Sequence, residues 1–217
     1  MKQIFNAVTK AYRTLLELRE EAVLSRLGSP TPILRTREEF PLWLNLLNLR
    51  GAGVEIGVQR GTFSTVILSG WGGAKLTCID PWRSFEPDSY HDTANVEQAK
   101  QEANFQTTRT RLAPFGERAA QLRKTSAEAA SDFADGSLDF AYIDAQHHYE
   151  AVVEDIELWW PKVKSGGILA GHDYLDGLVS GTDFGVRRAV DEFGQSLNLQ
   201  LVVSLELDYP SWFVRKH

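Results

Sequence analysis

A short apolar run that closes on an acid and a glycine turn, Val54-Glu55-Ile56-Gly57-Val58-Gln59-Arg60-Gly61, is followed by a second run, Leu76-Thr77-Cys78-Ile79-Asp80, that also stops at an acid. Together they predict a strand, a tight turn into a helix, and a second strand. Gly57 and Gly61 let the backbone turn where a side chain would strain it. An acid about 20 residues past such a turn, at the end of the next strand, is where a ribose diol is gripped in nucleoside-binding α/β folds. The competing reading of the same residues is a plain glycine turn with Asp80 as a helix cap.

From Gly51 onward strand and helix patterns alternate, which predicts a parallel sheet covered on both faces. Strands are expected at 52–56, 75–80, 119–124, 138–143, 167–171, 199–205 and 211–215, and helices at 61–69, 94–112, 148–160 and 183–194. The turn Asp208-Tyr209-Pro210 is too short for a parallel crossover, so the last two strands should pair antiparallel. Two further helices come first. Ile4 to Leu27 carries apolar residues at helical spacing, and Thr36 with Glu39 resembles a capping box opening a helix through Leu49. The organisation expected is therefore a helical extension over 1–50, serving as lid, dimer contact or padding, and an α/β domain over 51–217.

Charge and cysteine content narrow the partners. Lys and Arg number 23 against 29 Asp and Glu, a formal charge of −6 with no basic block, which argues against nucleic acid and anionic membranes and for a small-molecule partner. Cys78 is the sole cysteine, so an internal disulfide and a cysteine-rich zinc site are both excluded. No apolar run approaches the ~18 residues a membrane span needs, so a soluble, cytoplasmic protein is expected. A homodimer through the N-terminal helices is a further expectation.

Which nucleoside fits follows from charge. Dinucleotide sites place a glycine two residues after the first so that backbone can approach a pyrophosphate; here that position is Gln59. Glu55 would repel phosphate and attract a cation. S-adenosylmethionine has no phosphate and carries a sulfonium and an α-ammonium, so Glu55 on the amino-acid side and Asp80 on the ribose side suit its charges. Trp82 could stack on adenine or pack beneath the following loop, and Thr125-Ser126 could reach the adenine edge or cap a helix.

A second constellation sits at later strand ends. Leu138 to Ile143 delivers Asp144 and then His147 and His148, while Gly166 to Gly171 delivers His172 and Asp173. Ligands in open α/β sheets bind outside the carboxyl ends of the strands, so Asp80, Asp144 and the His172-Asp173 pair should share one rim. Such a group can hold a divalent metal or present a histidine as general base. Bland alternatives stay open: Asp144 as a helix cap, His172 bonded to loop backbone, and one of the adjacent His147 and His148 at the surface. The stretch from Arg83 to Gln106, with Phe85, Tyr90, His91 and Phe105, is expected to wall the acceptor site.

Val54-Glu55-Ile56-Gly57 through Gly61, Ile79-Asp80-Pro81-Trp82, Tyr142-Ile143-Asp144 through His147 and Tyr149, and Gly166-Gly167 through Gly171-His172-Asp173-Tyr174 together resemble a class I S-adenosylmethionine-dependent methyltransferase, from about Gly51 to the C-terminus. The group it most resembles is methyltransferase domain 24, which is similar to macrocin-type sugar O-methyltransferases. The resemblance implies a Rossmann-like sheet of seven mostly parallel strands with the last antiparallel. It also implies that Glu55, Gly57 and Gly61 frame the methionine end, Asp80 binds ribose and Ser126 lies near adenine. Asp144 and Asp173 would be metal ligands, joined by His172 where relatives carry a carboxylate or amide, a change that suits Mg²⁺ less well. His147 would be the base that deprotonates an acceptor hydroxyl of sugar or phenol type. The rivals are a non-catalytic S-adenosylmethionine-binding or interaction module and a nicotinamide-dependent oxidoreductase.

Overall fold

The computed structural model describes residues 34–86, 94–179 and 181–217. Seven strands form the main sheet: β1 (Ala52–Ile56), β2 (Lys75–Ile79), β3 (Ala119–Leu122), β4 (Leu138–Ile143), β5 (Val163–Gly171), β8 (Leu201–Val203) and β9 (Trp212–Arg215). Their spatial order is β3-β2-β1-β4-β5-β9-β8. β1 to β5 pair in parallel, and β9 runs antiparallel between β5 and β8, as the short final turn requires. A separate two-stranded hairpin, β6 (Asp176–Val179) with β7 (Thr182–Gly185), was not expected from the sequence.

The helices are α1 (Phe40–Leu46), α2 (Thr62–Gly70), α3 (Gln98–Leu112), α4 (Ser126–Ala130), α5 (Tyr149–Trp159) and α6 (Val186–Ser196). Period-two alternation along the strands divides the core between two faces. Phe140 and Tyr142 of β4 join Phe40, Trp43, Phe63 and Ile67 on one face; Ala141 and Ile143 join Val152, Ile156 and Trp159 on the other. α1 is bound into the first face by aromatic edges, with Phe40 5.3 Å from Phe140 and 5.4 Å from Phe213 between ring centroids. Fully burying side chains of this size contributes about 1.5–3 kcal/mol each. Residues 34–50 are therefore part of the sheet's own packing.

Several boundaries differ from expectation, each for a local reason. The Thr36 capping box does not form, because Glu39 turns back to Arg35, accepting from its backbone N–H at 2.9 Å and its Nε at 3.0 Å; Arg37–Glu39 is a 3₁₀ turn instead. α6 starts at Val186 because Thr182 to Gly185 pairs in the hairpin. β5 starts at Val163, ahead of its two glycines, with a register shift opposite Leu138 and Phe140. The predicted helix from Ile4 to Leu27, and Tyr90 and His91, lie outside the described residues. Among the described residues no helix is long and apolar enough to cross a membrane.

Register sets up the site. Ile56 lies beside Ile79 and beside Ile143, and Ile143 beside Gly171, so Gly57, Asp80, Asp144 and His172 leave the sheet along one edge.

Candidate active site

Above that edge is a cavity of about 550 Å³, within the range of small-molecule sites. Of the residues singled out from sequence, Glu55, Gly57, Asp80, Ser126, Asp144, His147 and Asp173 are in its lining. Gly61, Trp82 and His172 are not in the lining.

Gly57 stands at φ +85, and a Cβ there would fall 1.8 Å from the carbonyl oxygen of Asp144. Only glycine lets the two strand ends approach so closely. The turn beyond it is pinned by Asp80, whose Oδ2 accepts from the backbone N–H of Val58 at 3.0 Å and of Gln59 at 2.8 Å, while Oδ1 accepts from Trp82 N–H at 2.7 Å. These amides would have to cradle a pyrophosphate in a dinucleotide site; here a carboxylate takes them. With roughly four acceptor positions on a carboxylate, one is left for a ligand hydroxyl. Burial pushes Asp80 up, more than its three amide bonds and Arg123 pull it down.

Glu55 is 1 % exposed and accepts from the Ser64 hydroxyl at 2.5 Å. Burial pushes its carboxyl up to about 8, against the Ser64 hydrogen bond. Trp82 is fully buried, packs 4.8 Å from Phe105 and donates from Nε1 to the Gln59 carbonyl at 2.7 Å. It buttresses the turn from behind, and stacking on a ligand in the cavity is closed to it. Phe105 likewise packs beneath Trp82, while of the expected acceptor wall Arg83, Phe85, Ala94 and Gln101 reach the lining. Thr125, not Ser126, caps α4, through a capping box with Glu128. The Ser126 hydroxyl accepts from Trp159 Nε1 at 2.8 Å and donates to Asp155, whose buried carboxyl is pushed up to about 7.

The later strand ends carry a compact charged group. Asp144 caps no helix; α5 has His148 as its N-cap. Asp144 Oδ2 instead meets Arg37 Nη1 at 3.0 Å. His147 Nε2 lies 2.8 Å from Asp173 Oδ2, and His172 Nδ1 lies 3.0 Å from Asp173 Oδ1. Burial acts to raise Asp173, but hydrogen bonds from both imidazoles outweigh it and hold the carboxyl well below the usual range. Burial raises Asp144, with His172 and Arg37 acting against the rise. His147, not His148, faces the cavity. Its ring stacks on Phe184 of the hairpin at 4.7 Å and its carbonyl accepts from Gly185 N–H at 2.8 Å, so the small hairpin serves to hold this histidine.

One oxygen each of Asp144 and Asp173 and one nitrogen of His147 lie within 4.8 Å of one another. That mixed oxygen and nitrogen set fits a divalent ion, with His147 in the position expected of His172. The two uses of Nε2 exclude each other, since a nitrogen sharing a proton with Asp173 cannot also ligate. Arg37 was missed from the sequence: one of two arginines in the polar run Arg35 to Glu39, it carries no signal that it will reach Asp144, 107 residues away.

A sheet ordered β3-β2-β1-β4-β5-β9-β8 with one antiparallel strand, an acid-glycine turn after β1 and an acid closing β2 is the class I S-adenosylmethionine-dependent methyltransferase fold. A family model described as a methyltransferase domain matches residues 54–174, more than half of the chain, and the chain belongs to that methyltransferase family. Protein y4gI of Sinorhizobium fredii is 27% identical over 139 residues, covering 62% of this chain and 14% of that protein; the chain thus spans only a small part of this relative's length. The structure of an O-methyltransferase from Bacillus cereus in complex with SAH is similar at a TM-score of 0.58 and 15% identity, over 94% of this chain and 91% of that one. That of the O-methyltransferase TomG from Streptomyces achromogenes in complex with SAM gives 0.56 at 14%, over 83% and 79%.

Proposed function

We propose that the chain is an O-methyltransferase that moves the methyl group of S-adenosylmethionine to a hydroxyl of a small-molecule acceptor of sugar or phenol type. The observation that carries this reading is the His147–Asp173 pair, 2.8 Å apart in the cavity wall beside Asp144. Asp173 fixes the direction and tautomer of the imidazole and steadies the imidazolium that forms on proton uptake, as a carboxylate does for any histidine base. In the step, His147 takes the acceptor's hydroxyl proton on Nδ1, the ring nitrogen opposite the one bonded to Asp173, and the oxygen attacks the methyl carbon. The carbon–sulfur bond breaks, and its electron pair returns to sulfur, leaving a neutral thioether. Most of the rate comes from holding oxygen and methyl carbon about 3–3.5 Å apart in line with sulfur.

Asp80 would take a ribose hydroxyl at its remaining acceptor position, and Glu55 with Asp144 would offer negative charge to the donor's ammonium. A second reading rests on the 4.8 Å convergence of Asp144, His147 and Asp173, which would hold a divalent ion that orients the acceptor and lowers its hydroxyl pKa. A nicotinamide cofactor is disfavoured by the amides that Asp80 occupies. The test is transfer of labelled methyl from S-adenosylmethionine to a panel of catechols, phenols and sugars. Asp144→Ala should abolish transfer and weaken S-adenosylhomocysteine binding by about 10-fold or more, since the ammonium loses a charged partner. Full activity of that variant without added metal rejects the metal reading, and absence of transfer by the parent protein to any acceptor favours a binding module.

A further inference from the structure

Arg37 lines the cavity from a 3₁₀ turn that lies outside the residues matched by the methyltransferase family model. Its Nη1 meets Asp144 at 3.0 Å, and its guanidinium lies 4.8 Å from the centroid of the Phe63 ring, in the first turn of α2 just past the glycine loop. The side chains of Arg37 and Asp144 are 24% and 22% exposed, so the pair is held in the wall and still presents one side to the cavity. Glu55 and Gly57 line the same cavity.

An arginine and an aspartate fixed side by side, both open to one cavity, form a charge pattern complementary to one common chemical group. An α-amino acid carries an anion and a cation on adjacent positions, and can set its carboxylate on the guanidinium and its ammonium on the aspartate without changing the net charge of the site. Guanidinium is suited to this because its planar fork meets a carboxylate with two parallel hydrogen bonds. The aromatic ring beneath Arg37 fixes its plane, so little freedom is lost on binding.

We propose that Arg37 is the carboxylate anchor for the amino-acid end of the methyl donor, and that Asp144 beside it takes the ammonium. This rests on the donor assignment made under Proposed function and goes beyond it by giving the donor's carboxylate a partner from the segment before β1. The pair Arg37–Asp144 then has two states, closed on itself without ligand and opened across a zwitterion with it.

The test compares three ligands by calorimetry: S-adenosylhomocysteine, its decarboxylated analogue, and 5′-methylthioadenosine, which lacks the whole amino-acid end. The parent protein should bind S-adenosylhomocysteine about 10- to 100-fold more tightly than the decarboxylated analogue, the range for one hydrogen bond to a charged group, the second being offset by opening the Arg37–Asp144 pair. Arg37→Gln should erase that preference and leave the affinity for the other two ligands equal or tighter, while Arg37→Lys should keep part of it. Unchanged methylthioadenosine binding shows that the variant cavity is intact. If Arg37→Gln retains the full preference, or weakens all three ligands alike, the anchor is overturned. If the parent protein binds none of the three, the donor assignment itself has failed and the anchor falls with it.

Discussion

His147 presents Nε2 to Asp173 Oδ2 at 2.8 Å, with both side chains largely buried. An imidazole held this way has one tautomer and one direction, and its protonated form is stabilised by an adjacent anion. Asp173→Asn keeps the shape and removes the charge. Single-turnover methyl transfer should fall by about 10²–10⁴-fold, the usual worth of a positioned base, while affinity for S-adenosylhomocysteine stays within a few-fold. A variant that transfers methyl at the parent rate would remove the pair from the mechanism.

Gly57 and Asp144 explain why the first turn must be glycine. A Cβ at residue 57 would lie 1.8 Å from the Asp144 carbonyl oxygen and 2.4 Å from its carbonyl carbon, both backbone atoms that cannot swing aside. Gly57→Ala should cost about 3–5 kcal/mol, the range of severe core strain. Gly166→Ala is the control, since that residue has φ +79 with nothing within 4 Å and should cost only about 1–2 kcal/mol for backbone strain. Urea unfolding of both variants decides the matter, and equal losses would mean that the close approach to Asp144 is unimportant.

Trp82 separates a scaffold role from a ligand role. Trp82→Phe removes the indole donor to the Gln59 carbonyl and keeps most of the buried aromatic volume. Stability should drop by about 0.5–1.5 kcal/mol for the lost bond, since the Gln59 carbonyl keeps the Thr108 hydroxyl at 3.0 Å, with nucleoside affinity changed less than about threefold. A tenfold loss of affinity at unchanged stability would restore the aromatic to the binding surface.

The sheet was legible because its signals are local. Short apolar runs such as Leu138 to Ile143, glycines at turns and the brief Asp208 to Pro210 link specify strand, helix and final direction without knowledge of the rest. Strand ends also placed Asp80, Asp144 and Asp173 on one rim. What the sequence hid is what depends on distant partners. Trp82 next to an acid looks the same whether it points to ligand or core, and its inward direction is decided by Phe105 and Gln59. Arg37 gains its role from a contact across 107 positions. The hairpin holding His147 had a turn signal in Gly181, but its strands are four residues each and partly merge with a helical pattern.

Two buried acids give a pH signature. Glu55 is pushed from 4.5 up to about 8 and Asp155 from 3.8 up to about 7, in both cases chiefly by burial. An acid with a raised folded pKa binds more proton in the folded chain than in the unfolded one between the two values. Folding stability is therefore fully supported below the unfolded pKa and declines as pH rises, across roughly 4.5–8 for Glu55 and 4–7 for Asp155, by at most about 1.4 kcal/mol per pH unit for each group. The protein should be measurably more stable to urea at pH 5 than at pH 8. Glu55→Gln, which keeps an acceptor for Ser64 and cannot ionise, should flatten the upper part of that slope, and Asp155→Asn the lower part. A slope that survives Glu55→Gln unchanged would show that this carboxyl is ionised in the folded state at neutral pH. Bound donor should act in the same direction as raising the pH: its ammonium beside Glu55 favours the carboxylate, so binding at pH 7 should release protons, seen as a dependence of the calorimetric heat on buffer ionisation enthalpy that Glu55→Gln diminishes.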